Sequence, residues 1–410
     1  MTSDRALSID GVRLTTTRGI RGFVDGTVSV VLAAYLKLLG YSNFKIGVVV
    51  TSMLLGSAAL TLLTGLYGHR FTRRAILLSG SGLMFVTGIT YASTTIFALL
   101  IIMGTMGTMN PSSGDVSVFL PMEQSLLPST VADEHRTSMF ARYAFIGSFC
   151  GALGSLAAGV PDWIVRHSSI DRGAALRGVF VAYAFGGVAT FLIYRSLSPN
   201  IEPVGAHRPA PLGDSRAIVY RLAAVFSLDA LGGGFVVQSL LALWLYERFN
   251  LSVAVAGALL FWTGVCSAFS AFVSARIAKK IGLIRTMVFT HLPAQLFLIS
   301  AALVPNLGLA VACLIARSLL SAMDVPARNS YVMAVVSPPE RAAAASVTNV
   351  PRSLTAALPP IAAGWMLDHS TVGWPLIIAG TLKIVYDLLL LRMFRHIRPP
   401  EELPAPPSTA

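Results

Sequence analysis

A few ionisable side chains sit inside otherwise apolar stretches, and a charge placed in the hydrocarbon of a bilayer costs about 2.5–3.5 kcal/mol. Asp25 lies in GIRGFVDGTVSVV, Asp115 in NPSSGDVSVFLP, Asp229 in VFSLDALGGG and Arg317 in ACLIARSLLS. Arg142, Asn349 and Arg352 interrupt two further helical stretches. Groups kept at that cost face water or a solute, and a carboxylate so placed takes up and releases a proton near neutral pH. These seven residues are the candidates for solute binding or proton coupling. Lys383 and Asp387 are four residues apart, the spacing that pairs charges on one helix face, so a structural ion pair is expected there. His291 is expected to be a packing residue.

The elements that must hold these groups are membrane spans. Apolar residues make up 54% of the 410-residue chain and charged residues 12%, and the mean hydropathy is +0.70. A soluble domain carries about 25% charged residues. Runs of eighteen or more apolar residues predict twelve helices. They fall at about 18–39, 46–67, 75–92, 95–121, 138–159 and 175–194, then 220–245, 253–275, 286–304, 307–326, 343–367 and 373–391. The fold class is therefore all-α and polytopic. Residues 1–17 read as an N-terminal tail, 18–194 as one six-helix half and 195–217 as a Pro-rich linker. Residues 218–392 read as a second half and 393–410 as a C-terminal tail. No short apolar segment precedes a small-residue cleavage site, so no cleaved signal peptide is expected.

The net charge of +12 has a topological explanation rather than a nucleic-acid one. Lys and Arg gather in alternate loops: Arg70, Arg73 and Arg74; Arg136; Arg276, Lys279 and Lys280; Arg328 and Arg341; and both tails. The positive-inside rule then places the two termini and the linker in the cytoplasm, in a multi-pass cytoplasmic membrane protein. Cys150, Cys266 and Cys313 lie in apolar helices with no metal or disulfide spacing. No metal or cofactor is expected. There is no GxxxxGK[ST] phosphate loop, no HExxH and no G-x-S-x-G elbow, so neither ATP-driven transport nor a membrane hydrolase is indicated.

The chain also repeats itself. Pro121, Arg136 and Gly159 recur as Pro326, Arg341 and Gly364, each 205 residues later. Internal repeats of membrane halves are a mark of transporters. The loop GLYGHRFTRRAIL, with Gly65, Gly68, Arg70, Arg73 and Arg74, is echoed by SARIAKKIGLIRTM, with Arg276. Asp324, Pro326, Arg328 and Tyr331 form a D-x-P-x-R-x-x-Y run. On these motifs the chain resembles the major facilitator superfamily over about residues 18–398. His69 stands where that family usually has Asp, and Ala152 where its antiporter motif in helix 5 has Pro.

The resemblance implies twelve helices in two pseudo-symmetric halves and no enzymatic activity. It implies transport of a small solute by alternating access. It also implies a cytoplasmic gate made by Gly65, Gly68, Arg70, Arg73, Arg74, Glu123, Arg136, Arg276, Asp324, Arg328 and Arg341. Partly exposed ion pairs of about 0–1 kcal/mol each would suit such a gate. In that family the cavity is lined by helices 1, 4, 7 and 10, which here carry Asp25, Asp115, Asp229 and Arg317. Gly147, Gly151 and Gly154 form a small-residue stripe in helix 5, suited to close packing or a hinge. Three glycines in a row, Gly232–Gly234, predict a break in helix 7.

The expected function is proton-coupled efflux, or antiport, of a small organic solute. The alternatives are a proton-coupled importer or facilitator, or a transporter-like sensor that moves nothing. The expected partners are the solute, protons and the lipid bilayer, with no nucleic acid, in a monomer.

Overall fold

The computed structural model describes residues 8–112, 118–131, 135–198, 201, 212–213, 215–337 and 340–397. Asp115, most of the linker and the extreme ends of the chain lie outside the described residues. Within them the chain is helical and contains no strand.

The first eight helices are α1 (Ile9–Leu38), α2 (Asn43–Tyr67), α3 (Arg73–Ser93), α4 (Phe97–Met106), α5 (Phe119–Leu126), α6 (Arg136–Ala157), α7 (Val160–His167) and α8 (Arg172–Arg195). Then come α9 (Arg216–Gly234), α10 (Gln238–Phe249), α11 (Val253–Ile281), α12 (Leu283–Leu303) and α13 (Leu307–Ser321). The last are α14 (Asp324–Ala334), α15 (Arg341–Ala357), α16 (Pro359–His369) and α17 (Trp374–Phe394). Among the described residues, ten helical stretches are long and apolar enough to cross a membrane. The interrupted pairs α4/α5 and α15/α16 supply the remaining two of twelve spans.

Local chemistry fixes the ends. Ser8, Ser42, Thr72 and Asp171 each accept a hydrogen bond from a backbone N–H of the following first turn, at 3.2, 3.3, 3.1 and 2.9 Å. Such caps satisfy donors that the helix leaves orphaned. The breaks have equally local causes. α9 ends on Gly232–Gly234, and α16 begins at the Pro359–Pro360 pair, where a missing N–H and the pyrrolidine ring end the preceding helix.

Several boundaries differ from the sequence reading. α1 begins nine residues before the expected start, so Arg13 belongs to a helix and not to a tail. Asp25 accordingly lies near the middle of α1. α11 runs on to Ile281, which puts Arg276 on a helix. The expected helix 10 is broken at Ala322 and Met323, so Arg317 and Asp324 do not share one continuous helical face.

The chain forms two compact units. Unit 1 comprises Met1–Ala206, Phe235–Val265 and Ala357–Pro375, and unit 2 comprises His207–Gly234, Cys266–Ala356 and Leu376–Ala410. In unit 1, α1 and α6 meet through the glycine stripe. A Cβ added at Gly26 would stand 2.1 Å from the Gly151 carbonyl oxygen, and one at Gly154 only 1.9 Å from that of Phe23. Only glycine permits that backbone approach. Leu14, Leu77, Phe119, Leu126 and Tyr143 form the core beside it. In unit 2 the core gathers Phe226, Met287, Tyr331, Tyr386 and Phe394. Large apolar side chains such as Phe185, Trp262, Phe289 and Leu309 are exposed, as expected of faces turned to lipid.

Candidate functional site: a buried charge cluster in unit 2

Asp229 projects from α9 three residues before the glycine triplet and is 5% exposed. Its Oδ1 receives a hydrogen bond from Lys383 Nζ of α17 at 2.5 Å. Its Oδ2 receives one from Arg328 Nη1 of α14 at 3.3 Å. His291 Nε2 of α12 lies 3.9 Å from Oδ1. The other ring nitrogen, Nδ1, is 3.0 Å from Asp387 Oδ1 of α17. Arg328 Nη1 also reaches Asp324 Oδ2, 3.1 Å away on its own helix, and its guanidinium stands over the Phe226 ring at 5.7 Å. All six charged members are buried. Four helices that are distant in sequence therefore bring three carboxylates, two permanent cations and one imidazole to one place.

Such a network survives away from water only because each charge has a partner. The His291 ring stands between two carboxylates of the cluster, Asp229 and Asp387. Arg317 on α13 and Arg352 on α15 are half-buried and lie within the field of Asp229. Arg352 Nη1 reaches Asn349 Oδ1 at 3.4 Å, and Asn349 is exposed.

Two expectations about partners do not hold. Lys383 and Asp387 share a helix, but Lys383 binds Asp229 and Asp387 binds His291. His291 is buried as a member of the charge network, not as a plain packing ring. A local spacing rule could not see these contacts, because the partners come from helices α9 and α12.

Unit 1 holds a second buried pair. Arg21 of α1 reaches Glu123 of α5 through both terminal nitrogens, at 2.8 and 2.5 Å. Thr17 Oγ1 donates to Glu123 Oε1 at 2.7 Å, the Tyr194 hydroxyl donates to the same oxygen at 2.5 Å, and the Tyr143 hydroxyl donates to Oε2. Glu123 is 0% exposed. This pair and the Asp324–Arg328 pair are buried, not the partly exposed contacts expected of the gate. The sequence reading did not nominate Arg21, whose partner Glu123 lies 102 residues away.

The other nominated residues are more dispersed. Asp25 is half-buried in α1, and Arg142 is exposed on α6. Gly65 and Gly68 lie at the end of α2. Arg70 is exposed and stands over the Tyr67 ring at 5.5 Å. Arg73 Nη1 donates to the Ser125 carbonyl at 3.3 Å, and Arg74 donates to that of Arg195. Arg136 and Arg276 are exposed, and Arg341 Nε donates to the Met333 carbonyl at 3.0 Å.

Comparison with known proteins places this geometry. Residues 222–410 match the model of the Major Facilitator Superfamily. The membrane protein YJR124C of Saccharomyces cerevisiae is 23% identical over 404 residues, covering 90% of each chain. A bacterial homologue of the human lysosomal transporter Spinster, in an inward-facing and unoccupied conformation, superposes with a TM-score of 0.71 at 16% identity, covering 95% of this chain and 99% of that one. A bacterial homologue of the iron transporter ferroportin gives 0.73 at 14% identity, covering 93% and 98%. The xylose transporter XylE from E. coli gives 0.72 at 14% identity, covering 94% and 96%. The three solved structures are of transporters or their bacterial homologues. The match to the Major Facilitator Superfamily model covers residues 222–410, and the fold of these solved transporters is shared over nearly the whole length of the chain.

Proposed function

We propose that the protein is a proton-coupled secondary transporter, exporting a small organic solute across the cytoplasmic membrane by alternating access. One observation carries this reading: Asp229, buried in a span, is held by Lys383 and Arg328 and faced by His291. A network that gains or loses one proton changes net charge in a low dielectric, and its helices must then rearrange their ion pairs. That is a coupling element, since a bound proton favours one arrangement over the other. The break after Gly234 lies five residues beyond Asp229, so a change at the carboxylate has a ready point of bending. Arg317, Arg352 and Asn349 stand on the neighbouring helices as solute contacts. Asp25 and Asp115 are further carboxylates for the proton path. The arginines of the nominated gate and Asp324 would then make and break contacts as access alternates, while Glu123 keeps its partners.

Inverted vesicles energised by respiration and containing a pH-sensitive dye test this. Addition of a transported solute is expected to release protons from the vesicle lumen, the sign of antiport. An importer working by symport carries protons into the lumen together with the added solute, the opposite response. Asp229→Asn is expected to abolish the response while the protein still reaches the membrane in normal amount. An Asp229→Asn protein that responds like the wild type ends the proposal for this residue. A wild type that answers no solute, yet controls a cellular signal, would mark a sensor.

A further inference from the structure

The buried network has a charge imbalance. The inward-lying charged groups of α9, α12, α13, α14, α15 and α17 are Asp229, Asp324 and Asp387 against Arg317, Arg328, Arg352 and Lys383, with His291 between them. Four permanent cations thus meet three carboxylates. The pairing shows where the surplus lies. Arg328 and Lys383 are taken up by Asp229 and Asp324, and Asp387 by His291. Arg317 and Arg352 lie in the field of Asp229 but close no ion pair with any described carboxylate. The Nε–H of each is buried and has no hydrogen-bond acceptor among the described residues.

A guanidinium stays charged at any physiological pH, so it cannot escape burial by losing a proton. An unpaired buried N–H and an uncompensated charge both carry a penalty that an anion would remove. Arg is also the side chain whose planar donors match carboxylate and phosphate oxygens in pairs. Tyr, Ser or amide side chains alone would have suited a neutral solute. Here two cationic donors remain open.

We infer that Arg317 and Arg352 recognise the solute, and that the solute is an organic anion bearing a carboxylate, phosphate or sulfonate group. This deepens the transport reading by naming a substrate class, but it stands on binding alone and needs no assumption about protons or direction. In this view the network is electrically balanced only when the anion is bound. The occupied protein is then the state in which the ion pairs of Asp229 can exchange at least cost.

Thermal unfolding of the purified full-length protein in neutral detergent tests the inference. The probes are benzoate, succinate and inorganic phosphate, with benzamide as the neutral control and benzyltrimethylammonium as the cationic one. Phosphatidylglycerol distinguishes a lipid headgroup from a soluble anion. At least one soluble anion is expected to raise the melting temperature by mass action, while the controls leave it unchanged. Arg317→Gln and Arg352→Gln are each expected to weaken that anion about tenfold or more, the effect of losing one charge-assisted hydrogen bond. Arg317→Lys and Arg352→Lys, which keep the charge, are expected to retain part of the effect and serve if a glutamine variant does not fold. The inference is overturned if no soluble anion produces a shift that the arginine substitutions reduce. It is equally overturned if only phosphatidylglycerol, the amide or the cation does so. Failure here leaves the vesicle experiment intact, and a vesicle result without proton movement leaves an anion site standing.

Discussion

At the scale of single residues, two buried arginines set the energetics. Arg21 in unit 1 has one carboxylate, Glu123, and that carboxylate is also bound by Thr17, Tyr143 and Tyr194. Every lone pair of the acid is in use, so the pair is a fixed clamp. Arg328 in unit 2 divides itself between Asp229 and Asp324, and Asp229 in turn is shared by Lys383, Arg328 and the His291 ring. That arrangement offers several exchangeable pairings. Glu123→Gln should therefore destabilise the fold strongly, by about 3–5 kcal/mol, because Arg21 would remain buried with its charge uncompensated. Denaturant titration of the purified variant measures this. A loss below about 1 kcal/mol would mean that water reaches Arg21 and that the pair is not a clamp.

At the scale of elements, most helices were legible because an apolar run of the right length has few other outcomes. The expected 46–67 became Asn43–Tyr67, and the expected 373–391 became Trp374–Phe394. The break in the seventh span was also legible, since Gly232–Gly234 is a poor helix interior. The true start of α1 was not. Arg13, Arg18 and Arg21 make its first turns look like a soluble tail, and the acid that neutralises Arg21 lies 102 residues away. The same limit applied to the site. Asp229 stood out as a charge at depth, but its partners on α14 and α17 are set by tertiary packing. Another long-range contact holds the entry to α9. The Ser215 hydroxyl, with the backbone N–H groups of Gly213 and Ser215, holds the Glu340 carboxyl below its ordinary range. A carboxylate held low contributes stability above its unfolded value of about 4.3, and that contribution disappears as pH falls through the folded value. Glu340→Gln should therefore melt below the wild type at pH 7, and the two melting temperatures should converge below about pH 4. A gap that persists in acid would mean that Glu340 acts through packing and not through its charge.

At the scale of the whole molecule, the 205-residue repeat preserves positions and exchanges roles. Arg21, Phe119 and Glu123 of the first copy fall on Phe226, Asp324 and Arg328 of the second. In each copy a buried arginine sits over a phenylalanine, Arg21 over Phe119 at 4.3 Å and Arg328 over Phe226 at 5.7 Å, while binding a carboxylate. The cation has moved from the first helix of one copy to the fourth helix of the other. The first copy thus keeps a closed pair, and the second adds His291, Lys383 and Asp387 to a similar pair and gains a charge that can vary. Duplication also constrains topology. Twelve spans would return the chain to the side on which it began, and from the distribution of Lys and Arg we propose that this side is the cytoplasm. In a variant with Cys150, Cys266 and Cys313 replaced by serine, Ser3→Cys and Ser408→Cys should react with a membrane-impermeant maleimide only in inverted vesicles. Ser168→Cys, in the exposed turn between α7 and α8, should react in intact cells. Labelling of the two ends from opposite sides would require an odd number of spans. Neither the six-plus-six division nor the equivalence of Glu123 and Arg328 would survive that result.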